Sequence, residues 1–128
     1  MFKVIWLLKA QPGVSHSAFR EWYETSHAVI SEEHFGHLLL VYRRNYPAEV
    51  SGAPQWDYDC ITEWVMESEA AFDEIMRIFN DPVLGKIFAA DSENVLDPNT
   101  VLIKCDPCGR SGNGDQLVAS ALESRGVS

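Results

Sequence analysis

Within the segment FREWYETSHAVI (19–30), the imidazole of His27 is the side chain that exchanges a proton near neutral pH. It stands four residues after Tyr23 and eight after Phe19, on the same helical face as Ser26, so one titratable tip ends an apolar wall. That arrangement suits proton transfer to a ligand lying against the wall. The commoner role of such a histidine is to hydrogen-bond a neighbour and fill space. Asp91 and Glu93 of AADSENVLD follow an apolar helical run ending in Ile87, Phe88 and Ala89. As loop acids they are simply solvated; at the mouth of an apolar pocket, a carboxylate can instead orient an imidazole or take its proton. Asp57 and Asp59 in QWDYD read as strand-edge charges that favour solubility.

Eight aromatics recur at helix or strand spacing: Trp22, Tyr23, Tyr42, Tyr46, Trp64, Phe72, Phe79 and Phe88. Aromatics so placed are usually core. The phenols and indoles among them also suit a pocket for a flat, hydroxylated, apolar ligand. Other chemistries lack their patterns. His16, Glu32, Glu33, His34 and His37 do not follow H-E-x-x-H spacing and have no second cluster, so no metal site is expected. The C-x-x-C at 105–108 has no second pair for zinc, and Gly109 follows it rather than a helix start. No glycine-rich phosphate loop opens a helix, and no G-x-S-x-G elbow occurs; no cofactor is expected.

The elements that must position these groups fit one domain of 128 residues, 46% of them hydrophobic. Asp and Glu outnumber Lys and Arg by 19 to 10, giving a net charge of -9 that repels phosphate backbones and anionic lipid, so neither nucleic acid nor a membrane is an expected partner. No run reaches the roughly 18 apolar residues of a membrane span, and MFKVIWLLKAQPG reads as a first strand rather than a leader. Three cysteines give no disulfide framework, which fits a cytoplasmic setting.

Strand formers without a breaker predict β-structure over 2–9, then a QPG turn, and Ser15 caps a helix expected over 16–30. SEEHFG reads as a polar connection, HLLLVYRRNY (37–46) as a second strand, PAEVSGAPQW as a loop and YDCITEWV (58–65) as a third strand. Ser68 caps a second helix striped by Phe72, Ile75, Met76 and Phe79, and Asp81-Pro82 opens a short one to about residue 90. TVLIKC (100–105) supplies a fourth strand. The domain is expected over 1–106, with 107–128 a Gly- and Ser-rich flexible tail. Two β-α-β units predict an α+β, ferredoxin-like βαββαβ fold, a four-stranded antiparallel sheet with both helices on one face. The other sheet face then needs a cover, and a face-to-face homodimer, a dimeric α+β barrel, provides it.

KAQPGVSHSAFREWYETSHAVI, with its Pro-Gly turn, Ser-initiated helix and helix-end histidine, resembles the EthD-like dimeric α+β barrels. YDCITEWVMESEAAFDEIM and DSENVLDPNTVLIK resemble that family's third strand, second helix and acid-Asn segment. The resemblance covers about residues 1–106 and is nearest to the fungal branch that works beside polyketide synthases. It implies a cofactor-free lyase that decarboxylates an aromatic polyketide carboxylic acid of the atrochrysone type. Dehydration, cyclisation and anthrone oxygenation by the same pocket stay open, as does a non-catalytic small-molecule carrier. Carried over, His27 matches the family's helix-end histidine, and Asp91 and Asn94 match its acid-Asn segment. With His27 and Asp91 as the catalytic pair, Asn94 joins Tyr23, Tyr42, Tyr46, Trp64, Phe79 and Phe88 of the aromatic set around the substrate. The loop NYPAEVSGAPQW departs from the family pattern and leaves substrate identity open.

Overall fold

Apolar residues along Phe2–Leu8 alternate between two sheet faces, and this strand, β1, sits inside a four-stranded antiparallel sheet. The structure, a computed structural model, describes residues 1–48 and 56–106. The expected tail, Cys108 and most of the loop before the third strand lie outside the described residues. The remaining strands are β2 (Val41–Asn45), β3 (Cys60–Met66) and β4 (Val101–Cys105), in the order β2-β3-β1-β4. This is the ferredoxin-like arrangement expected from two interleaved β-α-β units. Registers such as Val4↔Trp64, Tyr42↔Trp64 and Trp6↔Thr62 put Val4, Trp6, Leu8, Tyr42, Thr62 and Trp64 on one face. The other face carries Ile5, Leu7, Ile61, Val65 and Ile103 around a charged centre, where Glu63 pairs with Lys3 at 2.9 Å. No helix among the described residues is long and apolar enough to cross a membrane.

The first helical segment differs from expectation in a way that bears on the site. Ser15 caps it as read, its Oγ accepting from the Ala18 N–H at 3.1 Å. Helix α1 (His16–Trp22) then passes into a π-helical turn, Tyr23–His27, closed by the Ala28 N–H on the Tyr23 carbonyl, and continues as α2 (Ala28–Phe35). The buried residues Phe19, Tyr23, Ala28, Ser31 and Phe35 are spaced by four, five, three and four. The five-residue step is the π-turn, which lets one face stay buried across the whole segment. SEEHFG is therefore not a polar connection: Ser31 and Phe35 are core, with Glu32 and Glu33 on the solvent side. A 3₁₀ turn (Gly36–Leu38) takes the place expected for the start of β2, and β3 begins at Cys60 rather than at 58.

Helix α3 (Glu69–Phe79) buries Phe72 and Ile75 as its stripe requires. Asp81 Oδ2 accepts from the N–H groups of Val83 and Leu84 at 2.9 and 2.8 Å, starting α4 (Leu84–Ser92). Asp91 thus lies in the last turn of a helix, not in a loop. The core forms two clusters, one around Val4, Phe35, Trp64, Ile75 and Phe88, the other around Leu8, Phe19, Tyr23 and Cys60. Trp6 and Tyr42 pack against both. His27 meets rings from each cluster, and the candidate site lies at that seam.

Candidate functional site

The π-turn and the end of α4 face each other, and their polar groups form one connected cluster. His27 Nδ1 lies 3.0 Å from Asp91 Oδ2, while the Ser26 hydroxyl donates to Asp91 Oδ1. The Trp22 indole N–H donates to the Asp91 backbone carbonyl at 2.9 Å, and its ring stacks on the His27 imidazole with centroids 4.9 Å apart. Both ionisable partners are nearly sealed, with side chains 13% (His27) and 6% (Asp91) exposed. Burial pushes the Asp91 carboxyl up, but hydrogen bonds from His27 and Ser26 outweigh it and hold the group below its ordinary value. An ionised carboxylate only accepts, so the hydrogen shared with His27 sits on Nδ1, and Nε2 is the ring nitrogen turned away from Asp91. An imidazole oriented in this way by a buried acid is placed to pass a proton through Nε2.

Rings surround it. His27 stands edge-on to Tyr23 at 5.1 Å and to Phe88 at 6.3 Å, and Phe88 meets Phe79 at 4.6 Å. Phe79 stacks on Trp64 at 6.4 Å, Trp64 meets Tyr42, and Tyr42 meets Tyr23, so six rings close a circuit that begins and ends at His27. All six come from residues singled out in the sequence: His27 with Tyr23, Tyr42, Trp64, Phe79 and Phe88. A hydroxyl relay crosses the circuit: Tyr42 donates to Tyr23 at 3.1 Å, and Tyr23 shares a hydrogen with Thr62 at 2.8 Å. Burial, reinforced by the neighbouring Tyr42, pushes the Tyr23 phenol well above its ordinary value, and burial raises Tyr42 too. Both stay protonated donors. Burial also lifts the Cys60 thiol to about 11, which removes it as a nucleophile at neutral pH.

Tyr46 lies at the edge of this arrangement, its ring 6.3 Å from Tyr23 and its hydroxyl donating to Glu24. Asn94 is exposed, and the structure does not bring it into the cluster. Glu93 is exposed as well; its backbone carbonyl accepts from Gln11 Nε2 at 2.6 Å beside a surface groove of about 570 Å³. Asp59 is not a solubility charge: it is buried, bonds His16 Nδ1, and accepts from the Ala10 N–H at 2.6 Å, pinning the end of β1 to the start of α1. Sequence reasoning missed Ser26 and Trp22 as partners of Asp91. Ser26 shared the face of His27, which was the available signal; a contact to the backbone of residue 91 leaves none. No group of three or more metal-binding side chains occurs among the described residues.

The segments that supply this cluster, the π-turn and α4, fall inside residues 11–99, which match the EthD domain. The chain belongs to the EthD family. Its fold is similar to that of an EthD family protein of Bacillus halodurans, with a TM-score of 0.58 and 17% identity over 84% of this chain and 100% of that one. It is also similar to the Arabidopsis thaliana protein At3g17210, with a TM-score of 0.60 and 17% identity over 87% of this chain and 99% of the other. A protein of Agrobacterium tumefaciens, Atu4242, gives a TM-score of 0.57 at 15% identity, covering 84% and 94%. At such identities the likeness to these structures is one of fold. No curated protein matches the chain.

Proposed function

We propose that this EthD protein is a cofactor-free lyase that decarboxylates an aromatic polyketide carboxylic acid, with His27 as the proton-transferring residue. The observation that carries the reading is the His27–Asp91 pair, with Nδ1 held at 3.0 Å, the ring set among aromatic side chains, and Nε2 making no hydrogen bond among the described residues. A β-keto acid needs little else. Nε2 accepts the carboxyl proton; the bond to the carboxylate breaks, carbon dioxide leaves, and the electron pair moves onto the ketone oxygen as an enolate. The imidazolium, steadied by Asp91, returns the proton to carbon. The hydroxyls of Tyr23 and Tyr42 are engaged with each other and with Thr62, so these residues offer the ligand their rings, with Tyr46 at the rim. Trp64, Phe79 and Phe88 supply flat apolar contact, and Asn94 would join only through movement of the turn that carries it.

The partner proposed for the sheet's second face is another copy of the chain. Support comes from the aliphatic surface of that face: Val101 and Ile103 remain 37% and 41% exposed, beside half-buried Ile5 and Leu7. A cytoplasmic location is part of the same proposal, in keeping with a free buried Cys60. Product mass on an aromatic β-keto acid of the atrochrysone type tests the reaction. Loss of carbon dioxide is expected; loss of water, an unchanged mass or a gain of oxygen would assign the pocket to dehydration, cyclisation or oxygenation instead. Binding with no change in the ligand would make it a carrier.

A further inference from the structure

A chain of net charge -9 repels anions, so any negative charge that develops on a ligand needs a local cation. Strand β2 provides one on the correct face. Arg43 and Arg44 are adjacent and point to opposite sides of the sheet: Arg43 reaches Glu63 on the open face, while Arg44 lies on the helix-covered face with Tyr42. The Arg44 guanidinium sits over the Tyr42 ring at 4.6 Å and lies 5.9 Å from the centre of the Tyr23 ring, the ring that His27 touches at 5.1 Å. Glu24, within the π-turn, grips it side-on, accepting from Nε at 2.5 Å and Nη2 at 2.9 Å. The Tyr46 hydroxyl donates to the same carboxylate. A guanidinium has a second two-pronged approach, end-on through Nη1 and the outer Nη2 hydrogen. Those hydrogens have no acceptor among the described residues, and the Arg44 side chain is 23% exposed.

We infer that Arg44 is the oxyanion-binding residue of this pocket: its end-on fork takes the delocalised enolate oxygen, or a neighbouring pair of oxygens, of an aromatic ketone whose carbon faces His27. Glu24 is a positioning residue that holds the guanidinium over Tyr42. The inference rests on the reading of the His27 pocket as a ligand site and names the charge state the pocket favours, an enolate or 1,3-dioxygen anion. Stabilising that oxygen favours the enolate that forms as the carboxyl group leaves, without gripping the carboxylate itself. Arginine suits the task because its fork matches two adjacent oxygens.

Two naphthoquinones test it. 2-Hydroxy-1,4-naphthoquinone is ionised at neutral pH to a stable 1,3-dioxygen anion; 2-methoxy-1,4-naphthoquinone is its neutral counterpart. Affinities are measured by calorimetry at low salt, and the His27 ring resonances are followed by NMR. The wild-type protein is expected to prefer the anion by at least about tenfold, the scale of a charge-assisted hydrogen bond, with His27 shifted by both probes. Arg44→Gln should abolish the preference and leave the neutral probe's affinity in place, while Arg44→Lys should keep part of it. A purely structural Arg44 would weaken both probes alike. The inference is overturned if His27 responds but the preference is absent from the wild type or survives Arg44→Gln. If neither probe moves His27, the pocket reading fails and the inference falls with it.

Discussion

At the scale of the residue, the geometry around Asp91 makes its charge the quantity to alter. The carboxylate accepts from His27 and Ser26, and Trp22 fixes the backbone beside it. Asp91→Asn keeps the shape but offers His27 an amide, which no longer demands a proton on Nδ1. Turnover on an aromatic β-keto acid is expected to fall by about 10- to 100-fold, the cost of losing the group that orients a working histidine. The same carboxyl gives a stability signature. Its folded pKa is below the unfolded value of about 3.9, so its contribution is complete above that pH and is lost as pH falls through the lower folded value. Thermal midpoints measured from pH 6 down to about 2 should drop less steeply for Asp91→Asn than for the wild type. Trp64 offers a contrast. Its indole N–H is buried without an acceptor among the described residues, as is that of Trp6, and its ring packs between Phe35, Phe79 and Tyr42. Trp64→Phe removes an unsatisfied donor and should unfold in urea within about 1 kcal/mol of the wild type, whereas Trp64→Ala should lose about 3–5 kcal/mol. Of this chemistry, the sequence alone shows His27 and Ser26 sharing a face. The pairing of His27 with Asp91 spans 64 residues of chain; no local spacing encodes it, and family resemblance pointed to it.

At the scale of the element, the π-turn ties the fold to the site. With Tyr23 and Ala28 both buried, a five-residue step replaces the usual three or four, and Ser26 and His27 lie inside it, facing α4. Deleting Thr25, which is exposed, would convert the step from Tyr23 to the residue now numbered Ala28 into an ordinary four-residue one. Circular dichroism should show the variant folded and helical. His27 would move one place nearer Tyr23 along the helix, and its ring resonances should no longer report a bond to Asp91. A variant that keeps the Asp91 signature would show that the turn does not position the histidine. The element order, the Ser15 cap and the stripe of α3 were legible because each rests on local spacing. The π-turn was not, since one wide step among regular ones looks like an ordinary helical pattern. The run to Phe35 was hidden for a related reason: Glu32, Glu33 and His34 resemble a polar loop when read in line, but alternate with buried Ser31 and Phe35 when wound.

At the scale of the whole molecule, the sheet's second face is the surface on which the proposed dimer rests. Its aliphatic residues flank a centre in which Glu63 meets Lys3, Asn45 and Arg43. Burial raises the Glu63 carboxyl, but the hydrogen bonds from Lys3 and Asn45 overcome it and hold the group below its ordinary value. Sedimentation at micromolar concentration should give the mass of two chains, 14.4 kDa each; a sharp single-chain mass would remove the proposed dimer while leaving the His27 cluster intact, because every group of that cluster comes from one chain. The dimer and the site are thus separable, and the chemistry stands or falls on the histidine. The most direct measurement is carbon dioxide released from an aromatic β-keto acid of the atrochrysone type by wild-type protein and by His27→Ala, both verified as folded by circular dichroism. Proton transfer through Nε2 requires the variant to lose at least about 10²-fold in turnover; turnover equal to wild type would contradict it.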